Sequence, residues 1–344
     1  MIQDLRLRTT PSVSCLRHLP LITNKNVIFA SEIIDMTNIL DIHNVTKKYG
    51  EYTALNGVSL SVREGSIFGL LGPNGAGKTS LIRIINQITA PDTGEIFFAE
   101  EPLSSKHVAQ IGYLPEERGL YRKMKVGEQA IYLAQLKGMS RDIAVKRLKY
   151  WFDKFEISSW WNKKVEELSK GMQQKVQFIV TVIHEPRLFI FDEPFSGFDP
   201  INVNLLKNEM LELRQKGASI IFSTHNMASV EELCDDIALI NKSEKILEGN
   251  IHDIKNDNKE NLFAVQFAKA TTDLASCLPE NIEILSTSQL KNEQFEAVLR
   301  IPKEQTSNDL IRILLSCVNL IGFHEIYPSM NDIFISYVNK KKEQ

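Results

Sequence analysis

Apolar and polar positions along the chain fall into two rhythms, and the order in which they alternate predicts the architecture. Ile39 to Ile42 and Val58 to Val62 alternate as half-buried strands do, with a turn at Tyr49-Gly50 between them. Ile67-Phe68-Gly69-Leu70-Leu71 is a short apolar run that fits a buried strand. Leu81, Ile82, Ile84, Ile85 and Ile88 then recur at helical spacing. Gly94 to Phe98 and Gln110 to Leu114 read as further strands. From Val126 to about Glu185 the spacing turns helical, with Ile131, Leu133 and Leu136, then Ile143, Val145, Leu148, Trp151 and Phe155. Leu188 to Phe191 and Ser219 to Ser223 are apolar without a break, as strands covered on both faces of a parallel sheet are. Ile237 to Ile240 and Lys245 to Leu247 flank a polar turn and suit a hairpin. The predicted fold is α/β, with a helical insert between two sheet strands.

The polar stretch Asp253 to Asn261 reads as a linker. Beyond it the pattern gives strand (Leu262–Phe267), helix (Ala270–Cys277), two strands (Ile282–Leu285 and Phe295–Ile301), helix (Ser307–Val318), strand (Gly322–Ile326) and helix (Asn331–Val338). That order suits a small α+β ferredoxin-like domain. The expected organisation is therefore a main domain over 38–252 with its helical part at about 121–185, a linker at 253–261, and an accessory domain over 262–344. Residues 1–37 carry Arg6, Arg8, Arg17 and Lys25 and no sustained apolar region before a cleavage site. They are expected to be a disordered extension, with Met36 as the candidate true start.

Composition narrows the classes. With 344 residues and 43% hydrophobic content the chain can fill two or three cores. A net charge of −3 argues against a large nucleic-acid surface. The four cysteines are far apart and form no C-x-x-C pair, which fits reduced thiols better than a metal site. No apolar stretch reaches the ~18 residues of a membrane-spanning helix.

The chemistry concentrates in Gly72-Pro73-Asn74-Gly75-Ala76-Gly77-Lys78-Thr79, followed by Ser80. Glycines let backbone N–H groups turn inward on phosphate oxygens, and the helix after the loop adds its positive end. Lys78 would reach the β- and γ-phosphates and the Thr79 hydroxyl would hold Mg²⁺. Strand before and helix after are the context the loop needs. By itself it says only that a nucleoside triphosphate binds, since kinases, GTPases, helicases and pumps share it. Phe191-Asp192-Glu193-Pro194 closes a buried strand. Asp192 is placed to hold Mg²⁺ through water, and Glu193 to polarise an attacking water. In Leu168-Ser169-Lys170-Gly171-Met172, Ser169 suits a helix N-cap and Gly171 permits close approach of an anion.

Taken in order, Tyr49, the phosphate loop, the segment after Tyr113-Leu114-Pro115, Leu168-Ser169-Lys170-Gly171, Asp192-Glu193, Ser196-Gly197-Phe198-Asp199 and His225 resemble the ATPase subunit of an ABC transporter over about residues 38–250. The resemblance implies ATP and Mg²⁺ as ligands, with Tyr49 stacked on the adenine and Ser169 and Gly171 gripping the γ-phosphate of ATP held by a partner copy. It also implies that Asp199 contacts that partner and that His225 holds the γ-phosphate and positions Glu193. Glu116 stands where the family usually has Gln, and could ligate Mg²⁺. Lys170 and Met172 replace the usual Gly and Gln. Leu114-Pro115-Glu116-Glu117-Arg118-Gly119-Leu120-Tyr121 and the C-terminal Asn331-Asp332-Ile333-Phe334-Ile335 resemble the bacterial ABC-2-type exporters, a subgroup that includes sodium-extrusion ATPases. The implied assembly is a homodimer, or a heterodimer with a related subunit, on the inner face of the cell membrane. There it would power a separate permease docked near Glu117 to Lys125. An importer ATPase and a soluble, non-transport ABC ATPase are the alternatives.

Overall fold

The computed structural model describes residues 37–117, 119–268, 274–291 and 293–340. The expectation for residues 1–36 and the start of the expected helix at Ala270 lie outside the described residues. The chain opens with β1 (Asn38–Tyr49), β2 (Tyr52–Arg63), β3 (Ile67–Leu71) and α1 (Lys78–Ile85). β4 (Thr93–Phe98), β5 (Glu101–Pro102) and β6 (Ile111–Leu114) precede the helical block of α2 (Val126–Leu136), α3 (Arg141–Lys154) and α4 (Lys170–Val182). Then come β7 (Leu188–Asp192), α5 (Pro200–Gln215), β8 (Ser219–Thr224), α6 (Met227–Leu233), β9 (Asp236–Asn241), β10 (Glu244–Asn250) and α7 (Ile251–Asp257). The last part holds β11 (Leu262–Ala268), α8 (Leu274–Cys277), β12 (Glu283–Gln289), β13 (Gln294–Arg300), α9 (Ser307–Cys317), β14 (Asn319–Ile326) and α10 (Met330–Lys340).

A sheet in the order β10-β9-β3-β8-β7-β6 forms the centre, and its β3, β6, β7, β8 and β9 pairings are all parallel. Side chains of a strand alternate between its faces, and here both faces are covered. Ile67, Leu71, Phe189, Phe191, Ile220 and Phe222 point into a core shared with α2, α3 and α4. Phe68, Leu70, Leu188, Ile190 and Ile221 point the other way, into a core shared with α1 and the antiparallel sheet β2-β1-β4-β5. Two buried faces per strand are the physical reason for the unbroken apolar runs in the sequence. All these strands bring their C-terminal ends, and the loops that follow, to one edge of the sheet.

The third sheet runs β14-β11-β13-β12, antiparallel throughout. With α8 and α9 it has the strand–helix–strand–strand–helix–strand order of a ferredoxin-like unit. Phe263, Val265, Phe267, Leu299, Leu310 and Leu314 form its own core.

Two expectations change. The stretch 253–261, read as a linker, begins inside a helix. Asn250 caps α7 by accepting from the His252 N–H, and Ile251 and Ile254 are buried one turn apart. Two isoleucines among polar residues suffice to dock one face of a short helix. The final helix, α10, joins the main core. Its Met330 and Ile333 are buried in the main core with Val230 and Leu233 of α6.

Candidate active site

The loop after β3 curls because two glycines meet neighbouring backbone. A Cβ on Gly72 (φ 146°) would lie 2.1 Å from the Ile240 carbonyl oxygen, and one on Gly77 (φ 115°) 2.3 Å from that of Ala54. Only glycine fits either position. α1 starts at Lys78, which is 7% exposed and whose ammonium donates to the carbonyls of Gly72 at 2.7 Å and Pro73 at 3.1 Å. Tyr52, two residues past the β1–β2 turn, donates its hydroxyl to the Gly75 carbonyl at 2.8 Å. Around this loop lies a cavity of about 280 Å³ lined by residues 74–80 together with Tyr52, Glu116, Asp192 and Glu193.

β7 delivers the two carboxylates. Asp192, its last residue, is 2% exposed and has Oδ2 3.4 Å from the Thr79 hydroxyl. Glu193 takes φ 47°, a left-handed conformation that costs a side-chain-bearing residue about 1–2 kcal/mol. Its N–H donates to the Ser223 carbonyl of β8 at 2.9 Å. One carboxylate oxygen lies 2.7 Å from His225 Nδ1 and the other accepts from the Thr224 hydroxyl at 3.2 Å. Thr224 ends β8 and His225 follows it directly, so adjacent parallel strands fix the pair. Backbone strain held by this many bonds at a cavity edge points to a working residue rather than a packing one.

Charge is unbalanced here. Burial lowers the Lys78 pKa, while Glu193, Asp192 and Glu116 pull it back up. Burial raises the Asp192 pKa, and Glu116 and Glu193 add to the effect. Three carboxylates beside one ammonium suit a hard divalent cation. Among the described residues no group of three or more His, Cys, Asp and Glu side chains could hold a metal alone. The donor set, one hydroxyl and one or two carboxylates, instead suits Mg²⁺ whose remaining ligands are phosphates and water.

The other candidate residues lie apart from the cavity. Ser169 caps α4, accepting from the Met172 N–H at 3.3 Å, and is exposed. A Cβ on Gly171 would be in ordinary contact, 3.5 Å from the Gly197 carbonyl oxygen. Gln174 of the same helix donates to the Pro194 carbonyl at 3.3 Å, tying α4 to the turn after Glu193. Asp199 caps α5 through the N–H groups of Ile201 and Asn202, both at 3.0 Å, and its bonds with Asn202 hold its pKa down. Tyr49 is exposed, faces Tyr52 across the hairpin and lies under the Lys47 ammonium at 5.6 Å. It does not line the cavity. Tyr52 does, and the sequence reading passed it over although it is the second aromatic of the same turn.

Residues 55–196 match the family model "ABC transporter", and residues 249–338 match "ATP-binding protein DrrA1-3-like, C-terminal domain". A shorter match, 162–231, to "AAA domain, putative AbiEii toxin, Type IV TA system" overlaps the first. The chain is 42% identical over 304 residues to the uncharacterized ABC transporter ATP-binding protein YhaQ of Bacillus subtilis (strain 168), covering 87% of this chain and 98% of that one. It is 33% identical to the Nod factor export ATP-binding protein I of Burkholderia lata, covering 62% of this chain and 71% of that one. Among solved structures, the ATP binding subunit of an ABC transporter aligns with TM-score 0.60 and 30% identity over 64% of this chain and 92% of that one. The cbiO1 protein of Clostridium perfringens, part of the ABC transporter complex cbiONQ, aligns with TM-score 0.56 and 26% identity over 63% and 90%.

Proposed function

This chain belongs to the ATP-binding subunits of ABC transporters, and we propose that it works in pairs, closing on two ATP molecules to drive an export permease. As a member of that family it binds ATP and hydrolyses it to power transport through a membrane permease. Among the described residues no helix is long and apolar enough to cross a membrane.

One observation carries the reading. Glu193 and His225 are held together at the rim of the phosphate-loop cavity, while Ser169 and Gly171 lie outside it. The chain therefore offers two separated halves of an ATP site, which a second copy would join. Lys78 would exchange its two carbonyl partners for β- and γ-phosphate oxygens. Thr79 and Asp192, with Glu116 beside them, would hold Mg²⁺, which offsets phosphate charge when bound. Glu193 would accept a proton from water as its oxygen bonds to the γ-phosphorus and the bond to ADP breaks. His225 would fix the Glu193 carboxylate and face the γ-phosphate. Ser169, Gly171 and the N-terminus of α4 would close the far side from the partner copy, with Asp199 at the contact. Tyr52, which lines the cavity, and Tyr49, paired with it across the hairpin, would meet the adenine.

Export is favoured by the ferredoxin-like segment that matches the DrrA-type domain and by the relative named for Nod factor export. The permease would dock beside the loop that carries Glu116. A largely apolar groove of about 490 Å³ opens there, with Ile88, Leu120, Leu133 and Leu136 in its walls. Attachment to that partner would place the chain at the membrane face. Size-exclusion chromatography of Glu193→Gln with ATP tests the paired site. A stable dimer that does not turn ATP over is expected, and a monomer under saturating ATP would overturn the reading.

A further inference from the structure

α6 starts at Met227, two residues after His225, and its N-cap Asn226 is bonded to the catalytic end of β8. The Asn226 N–H donates to the Thr224 hydroxyl at 3.1 Å, and that hydroxyl donates to Glu193. Through Asn226, α6 is thus joined directly to the strand end that carries both partners of the Glu193 carboxylate.

Two C-terminal elements grip α6 at a single side chain, Glu231. One carboxylate oxygen lies 2.6 Å from the Lys255 ammonium of α7. The other accepts from the backbone N–H of Met330, the first residue of α10, at 2.6 Å. Ser329 and Asp332 close that helix start with reciprocal side-chain-to-backbone bonds. The ferredoxin-like sheet lies between α7 and α10 in sequence, so both of its chain ends meet at Glu231. Burial reinforces the grip: Met330 and Ile333 are 1% and 2% exposed, against Val230 at 0% and Leu233 at 3%. On the far side, the neighbouring Glu232 pairs with Lys207 of α5 at 2.5 Å.

We propose that Glu231, with Lys255 and α10, is a positioning clasp through which the C-terminal sheet domain sets where His225 stands against Glu193. This rests on the roles given above to Glu193 and His225. Glu231 itself touches no residue of the cavity wall. Its effect passes along α6 to the strand end, so it belongs to the rate of the hydrolytic step rather than to nucleotide affinity. A load on the sheet domain, such as the seating of a permease, would reach the site through the same contact.

The test is steady-state and single-turnover ATPase of the full-length protein carrying Glu231→Ala, Glu231→Gln or Lys255→Met. Glu231→Ala is expected to lower kcat by about 5-fold, with KM for ATP unchanged. Glu231→Gln keeps an acceptor for the Met330 N–H and should recover part of the loss. In a His225→Ala background, Glu231→Ala should add nothing further. An equal further loss there would overturn the clasp, because a merely structural weakness does not depend on His225. Amide exchange separates the two levels. Faster exchange over residues 224–230 in Glu231→Ala and Lys255→Met supports the clasp even if His225→Ala alone keeps kcat, a result that would instead remove the catalytic role of His225. Unchanged exchange together with unchanged kcat would overturn the clasp.

Discussion

The phosphate-loop wall and the α4 helix end are both parts of the proposed ATP site, yet they are built differently. The wall is finished within one chain. Lys78, Asp192, Glu193 and His225 come from the ends of β3, β7 and β8, three adjacent strands of one parallel sheet, and bond to one another or to the loop itself. The α4 end is an exposed cap, with the Ser169 hydroxyl bonded to its own helix. A site finished inside a chain can bind nucleotide alone. A site with one open half makes chemistry conditional on assembly, which is how binding energy is turned into a movement between subunits.

The sharpest way to break this contrast is at Glu193. Glu193→Gln should keep ATP binding and lower kcat by about 10²–10⁴-fold, measured by phosphate release beside fluorescent-nucleotide titration. Near-normal turnover would remove Glu193 from its role. Next is the open half. Gly171→Asp should lower kcat by about 10²-fold while ATP affinity in the isolated subunit stays the same. An added Cβ has ordinary room at Gly171, and an unchanged melting temperature would exclude misfolding as the cause. Mixing Gly171→Asp with Lys78→Ala should give more turnover than either variant by itself. One of the two sites in a mixed dimer then has both halves intact. No recovery in mixtures shown to exchange subunits would mean the halves do not meet.

A smaller effect is expected beyond the C-terminal end of α4. Burial pushes the His184 pKa down from 6.5 to about 4. Below pH 6.5 the unfolded chain takes up that proton while the folded one does not. The stabilising contribution is therefore complete above pH 6.5 and is lost as pH falls towards 4. Melting temperatures at pH 7 and pH 5 should differ less in His184→Leu than in the parent; an equal difference would assign the acid sensitivity elsewhere. The mildest change is Glu116→Gln. It keeps an oxygen facing the cavity and removes one of the three carboxylates there. Most activity should remain, with a weaker response in a Mg²⁺ titration, and complete loss would mean the charge itself is needed.

Local chemistry was the legible part of the sequence. Gly72 to Thr79 is readable because close backbone approach and phosphate contact each demand one residue type at one spacing. The runs Leu188–Phe191 and Ser219–Ser223 are readable because burial on both faces leaves no polar position. What a segment packs against was not legible. Met330, Ile333, Phe334 and Tyr337 carry a helical apolar stripe, but a stripe does not name its partner, which here is α6 in the main core. Residues 253–261 look like a linker because Ile251 and Ile254 are the buried residues of the helix and the former precedes the polar stretch. Tyr52 was missed because its bond is to a backbone carbonyl, which no side-chain pattern reveals.

The backbone of Glu193 has a consequence for how this protein can drift. At φ 47°, glycine would sit more comfortably than glutamate. Relief of backbone strain would offset part of what Glu193→Gly loses in the bonds to Thr224 and His225. Such a variant should fold and still bind nucleotide, and so pass every quality check a cell applies to shape. Backbone strain and turnover pull in opposite directions at this one position. A lineage relieved of the need to transport would be expected to decay here early, leaving a well-folded subunit that holds ATP and does nothing with it.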